Sequence, residues 1–197
     1  MPRKKLIYTP DFPYHVCARA NNKEWFYLPK PHVWKIFCLH AARVFAKFGT
    51  CVHAFVLMDN HYHLLVSTQE NFSLGVVMQD FQKSVSHHIN QIARRQNHVF
   101  GGPYRASLVT TDFHYAQVLK YIYRNPIEAG LCVSCHDYRY STLVNDQVSV
   151  CSPLSGIALR VPTGDLLLPW LNEASGNERQ SIQRGLRKTV YRPVGRL

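Results

Sequence analysis

Two histidines one residue apart, His61 and His63, interrupt the apolar stretch Phe55-Val-Leu-Met-Asp-Asn-His-Tyr-His-Leu-Leu-Val66. On a strand successive side chains alternate faces, so His61, His63 and Leu65 share one side and Tyr62, Leu64 and Val66 the other. The two imidazoles then project in parallel roughly 6–7 Å apart along the strand, a separation from which both can converge on one ion. The bland alternative is a pair of hydrogen-bonded core histidines, in a chain that has eleven. Polar rings on a strand that is apolar on both faces need partners, however, and a metal is one of them. Two ligands are too few for a closed structural zinc site, so a third must come from elsewhere and leave positions open. Gln117, Tyr121 and Asn125 recur every fourth residue and line one face of a helix, which could supply it. A tyrosine hydroxyl, with a pKa of about 10, is a weak nucleophile until its proton is removed or polarised. A hard cation opposite it would bind phosphate oxygens and orient a diester for in-line attack.

The elements that must hold these groups are legible in outline. Tyr14 to Arg19 alternates as a first strand and ends at the turn-forming Asn21-Asn22. Val33, Ile36, Phe37, Val44, Phe45 and Phe48 fall at helical spacing, with Gly49 in the position of a C-terminal cap. The stretch Phe55–Val66 reads as one buried strand. Ser73 can cap a long amphipathic helix to about Gln96, with a stripe of Val77, Met78, Phe81, Val85, Ile89 and Ile92. Tyr104 to Thr110 can form a short strand, and Asp112 can cap a helix from about Phe113 to Arg124, which Pro126 must end or kink. Short helices are expected over residues 165–171 and 178–188. This order predicts an α+β sandwich: a largely antiparallel sheet with helices on one face, leaving the other face for a site.

The net charge of +11 indicates a polyanionic partner more readily than a small-molecule substrate. Arg3, Lys4 and Lys5, the run containing Lys83, Arg94 and Arg95, and the tail around Arg187 and Lys188 could neutralise phosphates. Phe113, Tyr123, Tyr138, Tyr140 and Tyr191 could stack unpaired bases. The alternative for each charged run is a solvated face. No apolar stretch is long enough for a membrane span, and none follows the basic start. The expectation is therefore a cytoplasmic, nucleoid-associated protein whose six cysteines are reduced. On that reading Cys132-Val-Ser-Cys135-His136 is not a haem attachment site.

Five blocks in order, Tyr14-His-Val16 with Asn21-Asn22, Ala54 to Val66, Ser73 to Gln79, Gly102-Pro-Tyr-Arg105 and Tyr121 to Leu131, resemble the single-tyrosine transposases of the His-hydrophobic-His (HUH) nuclease superfamily. Within it the chain is most similar to the REP-associated tyrosine transposases. The similarity spans residues 6–144. It implies a ferredoxin-like nuclease domain over residues 1–144. The basic extension over 145–197 is less well covered by the family pattern and is expected to contact a DNA hairpin or, alternatively, to cap the core. The similarity further implies that His61, His63 and Asn125 bind Mg2+ or Mn2+, and that Tyr121 is the nucleophile, with Tyr115 and Tyr123 as competitors on the same helix. The implied reaction is cleavage of single-stranded DNA beside a hairpin, a REP-like palindrome, by a monomer or homodimer, leaving a covalent 5′-phosphotyrosine. Arg105 joins the expected DNA contacts through its block. Asp59, where proline is usual, Tyr62 and Tyr123 depart from the family pattern without removing a ligand. Two alternatives stand beside this reading: a domesticated module that binds hairpin DNA or RNA without cutting, and a metal-dependent RNA-processing enzyme.

Overall fold

A computed structural model describes residues 6–151, 160–174 and 178–194. The elements are β1 (Tyr14–Arg19), α1 (Lys30–Lys47), β2 (Cys51–Leu57), β3 (His61–Ser67), α2 (Leu74–Ala93), β4 (Arg105–Leu108), α3 (Asp112–Glu128), α4 (Leu167–Asn172) and α5 (Glu178–Gly185). The four strands form one antiparallel sheet in the order β2-β3-β1-β4, the ferredoxin-like order. The expected α+β class is what the chain adopts.

The alternation within each strand decides which layer receives which side chain. Tyr14, Val16 and Ala18 of β1 and Tyr62, Leu64 and Val66 of β3 face α1 and α2, where Phe37, Phe45 and Phe81 complete the larger core. Phe37, Phe55 and Phe81 are fully buried, each contributing about 1.5–3 kcal/mol by removal from water. In β2 the register shifts between Val52 and Ala54. That bulge inserts one residue, so Val52, Phe55 and Leu57 all face the same core despite their mixed parity. Ser73 caps α2 by accepting from the Val76 amide, and Gly49 takes the left-handed conformation after α1 (φ +60°).

Four expectations need correction. The stretch Phe55–Val66 is not one strand but a hairpin, because Asp59 and Asn60 turn the chain: the Met58 amide donates to the His61 carbonyl (2.8 Å) and Asp59 pairs with Lys30. Pro126 does not end α3, which runs on to Glu128. The Asn125 side-chain amide donates to the Tyr121 carbonyl (2.8 Å), adding a hydrogen bond beside the one the proline cannot make. Thr111, rather than Asp112, caps that helix by accepting from the His114 amide. Finally, only α1 and α2 keep to one face. Helix α3 crosses the other, where Tyr115, Val118 and Ile122 pack on Ala54, Val56 and Leu65.

The C-terminal segment closes this second layer. Leu171, Ile182, Leu186 and Tyr191 are buried in it, and residues 189–191 run alongside β4, with Leu108 donating to the Thr189 carbonyl and accepting from the Tyr191 amide (both 2.8 Å). Arg124 ties α3 to α4 through the carbonyls of Leu171 and Asn172 (3.2 and 2.6 Å) and pairs with Glu128. Cys51 and Cys151 form a disulfide pair (Cα–Cα 5.7 Å), in contrast to the expectation that all six cysteines are reduced. No helix among the described residues is long and apolar enough to cross a membrane.

Candidate active site

The sheet face under α3 carries the odd-numbered residues of β1 and β3. Register pairs Cys17 with His63 and with Arg105, Arg19 with His61, and His15 with Leu65 and Ser107. His61 and His63 therefore stand beside a second row, His15, Cys17 and Arg19. The imidazoles of His61 and His63 have centroids 5.0 Å apart, and His15 Nε2 lies 2.9 Å from His63 Nδ1. From above, the Tyr121 ring meets His63 edge-on at 5.5 Å and His15 at 6.2 Å. These groups enclose a cavity of about 250 Å³, completed by Asn125 of α3, Ala129 just past its end, Arg105, and Arg179, Gln183 and Arg187 from the C-terminal segment.

Burial dominates the electrostatics. It depresses the pKa of His15 to about 3, that of His61 to about 4 and that of His63 well below the ordinary value, with the Arg19 guanidinium adding to the effect on His61 and His63. All three rings are thus neutral at pH 7 and each keeps a lone pair. Burial also raises the Tyr121 pKa; hydrogen bonds from Gln183 and Asn125 and the Arg179 charge oppose the rise without reversing it. The phenol is protonated at neutral pH, so an attack through its oxygen must be accompanied by proton loss.

The donor set fits a divalent cation loosely. Asn125 spends its amide nitrogen on the Tyr121 carbonyl, which leaves its oxygen as an acceptor near the two imidazoles. Two neutral nitrogens and one neutral oxygen suit Mn2+ better than Mg2+, which prefers an oxygen shell. Among the described residues no carboxylate lines the cavity, while Arg19, Arg105, Arg179 and Arg187 do. Among the described residues, no group of three His, Cys, Asp or Glu side chains is arranged to hold an ion. A cation here would need the negative charge of a phosphate beside it.

The expected residues separate into two sets. His61, His63, Tyr121, Asn125, Arg105 and Arg187 line one cavity, and Lys188 lines an adjoining groove of about 1040 Å³ that shares Arg105 and Arg187. Lys83 lies on α2 and Arg94 and Arg95 follow its C-terminal end, behind the sheet, with Arg95 stacked on Tyr27 at 3.6 Å. Arg3, Lys4 and Lys5 lie outside the described residues. Of the competing tyrosines, Tyr115 is buried against His53 and Tyr123 shares a hydrogen bond with Thr142 (3.1 Å), and neither lines the cavity. Gln117 is turned away as well, accepting from the Tyr191 hydroxyl (3.2 Å). Tyr123, Tyr138 and Tyr191 are buried and offer no stacking surface, whereas Phe113 is 43% exposed.

Arg179 lines the cavity as one of the tail cations expected to meet phosphates. Sequence reasoning missed His15, Cys17, Arg19 and Gln183. The first three had a signal: if Tyr14, Val16 and Ala18 face a core, their alternate neighbours share the opposite face. Gln183 had none, because only the packing of α5 on α3 brings it in.

A ferredoxin-like sheet that carries paired imidazoles under a helix-borne phenol defines a class of α+β protein with a small polar cavity ringed by arginines. The family to which such a chain belongs follows from comparison with known proteins: the IS200-like transposase family model matches residues 10–125, and the chain belongs to that family. Among solved structures, the fold is similar to that of a REP-associated tyrosine transposase bound to a REP hairpin (TM-score 0.63, 13% identity, covering 79% of this chain and 96% of that one). A candidate transposase from Deinococcus radiodurans R1 also matches (TM-score 0.42, 12% identity, 62% and 94% coverage). No curated protein matches the chain.

Proposed function

We propose that this chain is a metal-dependent, single-stranded DNA endonuclease and strand transferase that cuts beside a DNA hairpin through a covalent phosphotyrosine. The observation that carries the reading is the Tyr121 ring edge-on to His63 at 5.5 Å, in one cavity with His61 and Asn125. Imidazoles kept neutral by burial can ligate a cation at neutral pH, and Asn125 offers an oxygen beside them. Mg2+ or Mn2+ held there would draw charge from a scissile phosphate as a Lewis acid. Arg19, Arg105 and Arg187 would hold the flanking phosphates. The Tyr121 oxygen attacks phosphorus, its proton leaves to solvent, and the 3′-oxygen of the other fragment departs, leaving a 5′-phosphotyrosine and a free 3′-hydroxyl. The phosphodiester energy is retained in that bond, so a second 3′-hydroxyl can displace the tyrosine and join strands. One chain supplies both imidazoles and the phenol, which supports action in cis by a monomer. The similar REP-associated transposase is bound to a REP hairpin, which supports a hairpin as the recognised element.

The test is a labelled hairpin oligonucleotide with a single-stranded flank, incubated with protein and Mn2+ and resolved on a denaturing gel. The expected result is a covalent protein–oligonucleotide adduct that EDTA prevents. Binding without an adduct, under conditions that include both metals, would instead assign a non-cleaving hairpin DNA or RNA module.

A further inference from the structure

We infer that His15, which no motif in the chain singles out as functional, is a positioning residue. Its imidazole accepts a hydrogen bond from His63 Nδ1–H and so holds His63 with its Nε2 lone pair free for the cavity. The inference rests on the metal reading of the proposed function but is decided by hydrogen-bond polarity, which can be read without any metal.

The other imidazole, His61, has a partner of fixed polarity. Asn60 Nδ2 donates to the Lys23 carbonyl (2.8 Å), which fixes the amide orientation and turns Oδ1 towards His61 Nδ1, also 2.8 Å away. A carbonyl oxygen only accepts, so His61 Nδ1 must carry the proton and Nε2 the lone pair. His61 is therefore held by its neighbour in the form that can ligate. His63 Nδ1 has a different partner, His15 Nε2, at 2.9 Å, and both rings are buried, 5% and 4% exposed. Two neutral imidazoles can share that bond in either direction. If His15 donated, His63 would be protonated at Nε2 and present an N–H to the cavity, with no lone pair there. If His15 accepts, His63 presents a lone pair, as His61 does. Only the second arrangement lets both histidines act together, and ligating histidines ordinarily have their other nitrogen engaged in this way. The position of His15 follows from β1–β3 register: it faces Leu65 directly and reaches the His63 ring diagonally across the pair.

Three proteins are compared, wild type, His15→Gln and His15→Phe, with His63→Ala as the control for a lost ligand. Glutamine carries its terminal polar atoms about as far out as Nε2 and can still accept; phenylalanine fills a similar volume and cannot. In the metal-free wild type, nitrogen-15 NMR of the histidine rings should find the His63 proton on Nδ1. Mn2+ affinity, measured by electron paramagnetic resonance on protein saturated with the hairpin oligonucleotide, which supplies the neighbouring phosphate, should fall about 10- to 100-fold in His15→Phe. It should be largely restored in His15→Gln. A His63 proton on Nε2 in the wild type, or wild-type Mn2+ affinity in a folded His15→Phe, would overturn the inference. Should the wild type itself bind no Mn2+, the metal reading falls, and the NMR result alone still decides whether His15 accepts from His63. If His15→Phe does not fold, the wild-type tautomer and His15→Gln carry the decision.

Discussion

The salt dependence of DNA binding follows from which cations border the cavity and its adjoining groove. Arg19, Arg105, Arg179 and Arg187 line the cavity and Lys188 the groove. Arg179 is engaged by the Glu128 carboxylate at 3.3 Å and is discounted, leaving four cations for phosphates. Each phosphate neutralised on a single strand contributes about −0.7 to the slope of log affinity against log salt, so the expected slope is about −2.8. Raising salt from about 50 to 200 mM should then weaken binding roughly 50-fold. Fluorescence anisotropy with a 5′-labelled hairpin carrying a single-stranded flank, in EDTA to prevent cleavage, measures it directly. Arg187→Ala should weaken binding and reduce the slope by about 0.7. Lys83→Ala with Arg94→Ala, behind the sheet, should leave the slope unchanged. If the double variant on α2 lowers the slope as much as Arg187→Ala does, DNA runs over the helical face and the geometric reasoning fails.

Tyr121→Phe should abolish the covalent adduct while hairpin affinity changes less than about twofold, and Tyr123→Phe should keep the adduct; a denaturing gel and the anisotropy assay decide, and an adduct in Tyr121→Phe would remove that residue from the chemistry. Because His15, His53 and His63 have folded pKa values depressed by burial, the stability they confer is present above their unfolded value of about 6.5 and lost as pH falls towards their folded values. At pH 5.5 each should cost on the order of 1 kcal/mol, and the three together a few kcal/mol. Calorimetry in EDTA should therefore find Tm about 8–16 °C lower than at pH 7.5, and a difference under about 3 °C would contradict the buried neutral imidazoles. Gly185→Ala would put a Cβ 2.5 Å from the Arg192 carbonyl oxygen, a backbone contact that can yield only by moving the tail, so it should cost about 1–3 kcal/mol and speed limited proteolysis near Arg192; unchanged protection would show that the tail is not held there.

Much of this molecule was readable from local pattern, and the reason is period. A two-residue repeat put His61 and His63 on one side of a strand whichever sheet it joined, and a four-residue interval put Tyr121 and Asn125 on one side of a helix. The apolar stripe of α2 was likewise written in its own residues from Val77 to Ile89, down to the Ser73 cap, while Ile92, read into the same stripe, is exposed beyond the core. The failures came where a local rule competed with a partner far along the chain. Pro126 breaks isolated helices, yet α3 continues through it, because packing against the sheet and the Asn125 bond compensate for the missing donor. Reading Phe55–Val66 as one strand passes over Asp59-Asn60, two turn-forming residues between apolar runs that are enough to make a hairpin.

By itself, then, the sequence determined the types of group available and their local facing: paired imidazoles, a helix-borne phenol, an excess of cations and an α+β order of elements. Only tertiary structure decided which of them meet. Cross-strand register brought His15 to His63, α3 crossed the open sheet face to set Tyr121 over both, and the C-terminal segment delivered Arg179 and Gln183 from more than fifty residues away. The same packing sent Lys83 and Arg94 to the far side of the sheet. Register and layer packing depend on contacts between segments distant in the chain, so neither residue spacing nor net charge could specify them.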